Sequence, residues 1–140
     1  MKRYLIFYIC LALTLSFSSC DDDKDNDVAT SNIVGKWKLV EVKINGKVNN
    51  PASADAYYEP CDYNGWVRYN SDGTADEYDA CTKKTYINAG VWSINKGILT
   101  LSSREFGIPI TVNIIELSST TFIYEFDLVD KQRLKWEKVE

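Results

Sequence analysis

The chain has 140 residues, 45% of them apolar and 13% aromatic, with a formal net charge of −4 and no histidine. That is material for one domain with a substantial core. The missing histidine removes the usual general base at neutral pH, the Ser-His-Asp and Cys-His pairs and the commonest transition-metal ligand, and the acidic balance argues against a nucleic-acid partner.

Lys2 and Arg3 give the chain a positive start, and Tyr4 to Phe17 is an uncharged apolar run. The run is shorter than the roughly 20 residues of a membrane-spanning helix. With the small residues Ser18 and Ser19 behind it, the segment 1–19 reads as an export signal; an uncut N-terminal anchor is the alternative. Residues 20–32 follow as a tether. Its run Asp21-Asp22-Asp23-Lys24-Asp25-Asn26-Asp27 cannot bury apolar area and stays solvated. The stretch Ser16-Phe17-Ser18-Ser19-Cys20 resembles a bacterial lipobox. That resemblance implies cleavage before Cys20, a thioether-linked diacylglycerol on its sulfur, an acylated amino group, and anchorage in the cell envelope at the outer membrane. Each buried methylene of such chains contributes about 0.8 kcal/mol, so several chains make a stable anchor. The acidic run is similar to the export signal of some Gram-negative lipoproteins, which implies surface exposure; read as a tether alone, it implies no particular face.

From Ile33 to Glu140 the pattern predicts an all-β domain. No window repeats apolar residues at helical spacing for three turns, whereas short alternating runs recur between turn residues. The first strand spans Gly35 to Ile44, with a parity change at Leu39 and Val40 that predicts a bulge. A long loop covers 45–62. Strands follow at Trp66 to Asn70 and Thr74 to Asp79, joined by Ser71-Asp72-Gly73, where glycine supplies positive φ. Further strands span Tyr86 to Asn95, Ile98 to Ser102, Ile108 to Leu117, Thr121 to Leu128 and Arg133 to Val139. Eight antiparallel strands joined mainly by short turns form a meander, which closes most simply into an up-and-down barrel; a two-sheet sandwich is the alternative.

Cys10 leaves with the signal, so the domain keeps Cys61 and Cys81. Each lies ten residues from Ser71, in the turn. Cysteines so placed meet across a hairpin, and an exported protein matures where thiols oxidise, which predicts a disulfide. No C-x-x-C motif is present to suggest a redox pair.

The phrase "IVGKWKLVEV" holds Gly35-Lys36-Trp37. With Asn70-Ser71-Asp72-Gly73-Thr74 and Gly90-Val91-Trp92-Ser93 before "ILTL", it makes residues 33–140 resemble the small bacterial lipocalin-like lipoproteins. The resemblance implies that Gly35 and Trp37 close the barrel floor under a basic residue of the last strand, Arg133 or else Lys135. The final turn is too short for the helix that larger lipocalins carry before their last strand.

Trp66, Tyr78, Tyr86, Trp92, Tyr124 and Phe126 are candidates to line a cavity for a small hydrophobic or amphipathic ligand; the other reading is that they fill the barrel. The loop residues Tyr57, Tyr58, Glu59, Asp62 and Tyr63 suit either a lid or a contact surface. Asp72, Asp76, Glu77 and Asp79 alternate in direction along a strand and do not converge as a metal requires. No metal, cofactor or enzymatic reaction is expected. The two leading functions are a lipid-anchored, monomeric ligand carrier and a surface module that contacts a protein or glycan.

Overall fold

The computed structural model describes residues 30–54, 56–105 and 107–140. The segment read as an export signal, Cys20 and the acidic run lie outside them. Nine strands occur, β1 (Gly35–Ile44), β2 (Lys47–Val48), β3 (Trp66–Tyr69), β4 (Thr74–Asp79), β5 (Lys84–Asn95), β6 (Ile98–Ser103), β7 (Pro109–Leu117), β8 (Thr121–Asp127) and β9 (Lys131–Lys138). All but β2 pair antiparallel with the next in order, and β1 also pairs with β9, from Trp37↔Lys138 to Ile44↔Gln132. This last pairing closes an eight-stranded up-and-down barrel and excludes the sandwich. Among the described residues, the strand pairings and the core cluster lie between Ile33 and Lys138.

The predicted bulge is present, between Leu39 and Glu41 in the β1–β9 ladder. It turns Val40 outward and carries the buried series Trp37, Leu39, Val42 across the change of parity. The short β2 falls inside what the sequence suggested was only loop. It pairs back on β1 through a tight turn at Asn45 (φ 50°) and Gly46 (φ 80°), and Asn-Gly is the favoured dipeptide for such a turn. The predicted β3–β4 turn is present, with Gly73 at φ 82° and Asp72 Oδ1 accepting from the Thr74 N–H and hydroxyl. β5 starts at Lys84 rather than Tyr86, because its ladder with β4 runs on to Asp79↔Lys84.

One end of the barrel is solid. Trp37, Ile33, Leu99 and Phe122 are fully buried there. Trp37 donates from Nε1 to the Ile33 carbonyl at 2.7 Å and meets Phe122 edge-on at 5.7 Å. The cation over its ring is Lys138, with Nζ 5.1 Å from the centroid, and not Arg133 or Lys135. Strand direction explains the correction. β1 and β9 run antiparallel, so the start of β1 meets the end of β9. Side chains also alternate, so Arg133 and Lys135 share the outward parity of β9, where Arg133 pairs with Glu125 at 3.8 Å. Gly35 fits the closing role. It sits at φ 135°, and a Cβ there would lie 2.7 Å from the Glu140 carbonyl oxygen.

Candidate ligand cavity

The other end of the barrel is hollow. A cavity of about 810 Å³ opens there to solvent. Tyr69, packed edge-on against Trp92 and Phe122, forms its bottom. Val67, Leu101, Tyr124 and Trp136 make its apolar wall, with Tyr86 and Glu77 directly opposite each other in the β4–β5 ladder. The hollow has a local cause in the sequence. Ala75 pairs with Gly90 and Gly90 with Ser103, so three small residues lie in a row across β4, β5 and β6 on the inward face. Larger side chains there would fill the space. At the same end Ile108 and Ile110 fall on the inward parity of β7 yet are exposed, which leaves the rim apolar.

A bulge in β5 shapes the rim. Between Gly90 and Tyr86, β5 carries two more residues than β4 carries between Ala75 and Glu77. Asn88 adopts φ 52° in this bulge, a conformation asparagine tolerates better than most residues. Asp76 fastens it. Its buried carboxylate accepts the Asn88 N–H at 2.8 Å and the Asn70 side-chain amide at 3.3 Å. D76A leaves the Asn88 N–H without its acceptor and the Asn70 amide with Thr74 Oγ1 alone among the described residues, and is expected to lower stability by about 1–3 kcal/mol, measured by urea denaturation. D76N keeps one carbonyl oxygen and should lose less.

The 49–64 loop folds over part of the open end. Asn49 is its hub, accepting from the Tyr57 and Tyr58 N–H groups and donating to the Tyr58 carbonyl and the Tyr63 hydroxyl. Tyr58 donates its hydroxyl to the buried Gln132 Oε1 at 2.7 Å. Burial, then the neighbours Tyr57, Asp62 and Tyr63, push the Tyr58 phenol up to about 12, so it stays a donor at neutral pH. The predicted disulfide joins Cys61 to Cys81 with Cα atoms 5.0 Å apart, tying this loop to the β4–β5 turn. The bond and the Tyr58 contact hold the loop against the barrel, with Tyr58 and Tyr63 packed on the core and Tyr57 exposed. Beside it a smaller cleft of about 240 Å³ shares Val67, Glu77 and Trp136 with the main cavity.

One buried polar atom of the cavity wall, Trp136 Nε1, lacks a partner among the described residues. Tyr69 and Tyr124 are almost fully buried, and neither hydroxyl makes a hydrogen bond of ordinary geometry with another described residue. Trp136 Nε1 is buried and likewise lacks such a bond, though it lies close enough to the Tyr124 hydroxyl to favour its ionised form slightly. Burial dominates both phenols and raises them well above their ordinary value. Glu77 is reached by solvent through the opening but is surrounded by protein. That burial, and then Asp79, raises its carboxyl above the usual range.

Of the six aromatic candidates, Tyr86 and Tyr124 line the cavity. Phe126 packs beside Tyr124 at 6.1 Å within the core. Trp92 belongs to the floor, where Nε1 donates to the carbonyls of Asn70 and Thr74 and holds the β3–β4 turn. Trp66 and Tyr78 stack on each other outside the barrel, and Lys36 and Arg68 lie over the Trp66 ring. Their position follows from register: Val67↔Glu77 faces inward, so the adjacent pair Trp66↔Tyr78 faces out. Tyr69, Leu101, Glu77 and Trp136 escaped the sequence reading, although the parity of Leu101 and Trp136 was legible. The acidic residues do not gather round a common point. Asp72 and Asp79 hold turns and Asp76 the bulge. Among the described residues, Glu59, Cys61 and Cys81 bring ligand-type atoms within 4.8 Å of one another, but both sulfurs are committed to the disulfide.

A meander barrel sealed by a tryptophan at one end and hollow at the other is a calyx, the architecture of small-ligand carriers. Residues 33–124 match the lipocalin-like domain family, and the chain belongs to that family. A lipocalin-like protein from Bacteroides uniformis has a similar solved structure, with a TM-score of 0.43 and 13% identity over 77% of this chain and 99% of that one. Among curated proteins none matches the chain.

Proposed function

We propose that this chain is a lipid-anchored envelope lipoprotein whose barrel carries a small amphipathic molecule. The observation that supports the reading most is the open cavity of about 810 Å³, within the size range of small-molecule sites, about 300–1,000 Å³. Its walls mix aromatic and aliphatic surface with a few polar groups. A barrel serving only as a protein- or glycan-binding module has no need of that volume, so the carrier reading is preferred. The anchor rests on the lipobox-like stretch ending at Cys20 and on the acidic tether behind it. Location at the outer membrane, and its outer face in particular, belongs to the same proposal. In this reading the barrel binds and releases its ligand unchanged.

Trp136 in the wall reports on occupancy. In a chain beginning at Asp21, titration with dodecanol should change tryptophan fluorescence saturably, and W136F should lose most of the change. A75F places a phenyl ring in the row of small residues and should weaken binding by about tenfold or more while the barrel stays folded. No saturable response from the unmodified barrel would reject the carrier reading. Mass spectrometry of the mature full-length protein tests the anchor: the first residue should be a diacylglyceryl cysteine, and C20S should release the protein from membranes.

A further inference from the structure

Resting on the carrier reading, we infer that the cavity selects an amphipathic cation, an ammonium head group on an apolar body, with the head group seated on Glu77 between Tyr69 and Tyr86.

Three observations lead there. The first is position. Glu77 faces inward opposite Tyr86, close enough to Tyr69 for its charge to be felt by that phenol. No ion pair or hydrogen bond to another described residue engages its carboxylate. This contrasts with Asp76, Asp72 and Asp79, which are each held by backbone N–H groups. The second is the aromatic surface. Tyr69, Tyr86, Tyr124 and Trp136 all line the same volume. Ring faces attract a cation, more strongly when water is excluded, and repel an anion. The third is charge. Of the described residues that line the cavity, Asp76, Glu77, Asp79 and Glu105 are acidic, and Arg104 alone is basic. Arg104 and Glu105 follow the end of β6 at the rim, whereas Glu77, though also open to solvent, belongs to a wall strand.

A carboxylate on the wall of an aromatic cavity is costly to hold without a partner, and an ammonium group supplies one. The Tyr69 hydroxyl, which makes no hydrogen bond to another described residue, then accepts a further N–H donor from a primary ammonium. The apolar body of the ligand lies along Val67, Leu101 and Trp136 toward the exposed Ile108 and Ile110.

The test compares three probes with one chain length, dodecylammonium, dodecanol and dodecanoate, on the chain beginning at Asp21 and its E77Q variant. Dodecylammonium should bind about tenfold or more tighter than dodecanoate. E77Q should bring that ratio close to one, through weaker binding of dodecylammonium. E77Q keeps the shape of the side chain and removes a partly desolvated charge, so its fold should survive; a melting temperature no lower than that of the parent chain verifies this. Dodecanol binding without preference for the cation, or a preference that E77Q leaves intact, overturns this inference and spares the carrier reading. Binding of none of the three overturns both.

Discussion

Replacing Trp37 with alanine is expected to lower the stability of the barrel by about 3–5 kcal/mol, the cost of removing a large aromatic from a fully packed site. The side chain is completely buried, its indole N–H is bonded to Ile33, and it supports Phe122 and the Lys138 ammonium. Losing it opens the one end of the barrel that is sealed. The change also frees the Ile33 carbonyl and leaves Lys138 with only the Asn32 carbonyl as partner. Because a domain of this size is commonly stable by only about 5–15 kcal/mol, W37A should unfold at markedly lower urea concentration or fail to accumulate. W37F keeps much of the volume and should lose less. Removing the Lys138 cation by K138M should cost about 0.5–2 kcal/mol, and the equivalent change at Arg133 should cost almost nothing through Trp37. A comparison of urea midpoints among the four variants checks the assignment of the floor.

The second large effect concerns the disulfide. Cys61 and Cys81 are separated by 20 residues, and opening the loop they close should cost about 3 kcal/mol in the chain-entropy account. The C61S/C81S double variant is expected to show this loss in urea denaturation. It should also loosen the 49–64 loop before the rest, since the bond, with the Tyr58–Gln132 hydrogen bond, ties that loop to the barrel. Amide exchange should therefore accelerate at Tyr58 and Asn64 more than at Trp37 or Leu134. Uniform acceleration across the barrel would mean that the loop and barrel open as one unit.

Much of the architecture was legible because each strand carries its own period. Phe122, Tyr124 and Phe126 alternate cleanly along β8, and the parity change at Leu39 and Val40 announced the bulge. The disulfide was legible from its distance to the turn at Ser71. Extending the β3–β4 register from Trp66↔Tyr78 sets Cys61 level with Lys83, two residues from Cys81, and the chain on either side absorbs that offset. The cavity was less legible. Aromatic residues draw attention, but what makes the space is their opposite, the row Ala75, Gly90, Ser103. That row exists only once three strands are in register, so no local window reveals it. Trp66 and Tyr78 misled for a related reason. The β3 and β4 segments are short and mixed in polarity, so either parity reads as inward until Tyr69 is seen to bury and Val67 to pack against the core. The β2 turn was missed although Asn45-Gly46 stated it outright.

Glu77 illustrates a functional group set against stability. Burial raises its carboxyl, so the folded protein holds that proton to higher pH than the unfolded chain does. Stability therefore falls as pH rises from the unfolded value through the folded one, and the penalty persists above it. E77Q removes that penalty. It should raise the melting temperature slightly at pH 7 and leave it unchanged well below the carboxylate range. The effect is small because the side chain reaches solvent through the opening.

The central claim is that the barrel end opposite Trp37 takes up an amphipathic molecule. Methyl-resolved NMR during titration with dodecanol tests it most directly. The account predicts saturable shifts at Val67 and Leu101, which line the cavity, and little change at Leu99 and Val112, which are buried in the floor and core. Shifts confined to outward-facing Ile98 and Val139, or none at all, would contradict it.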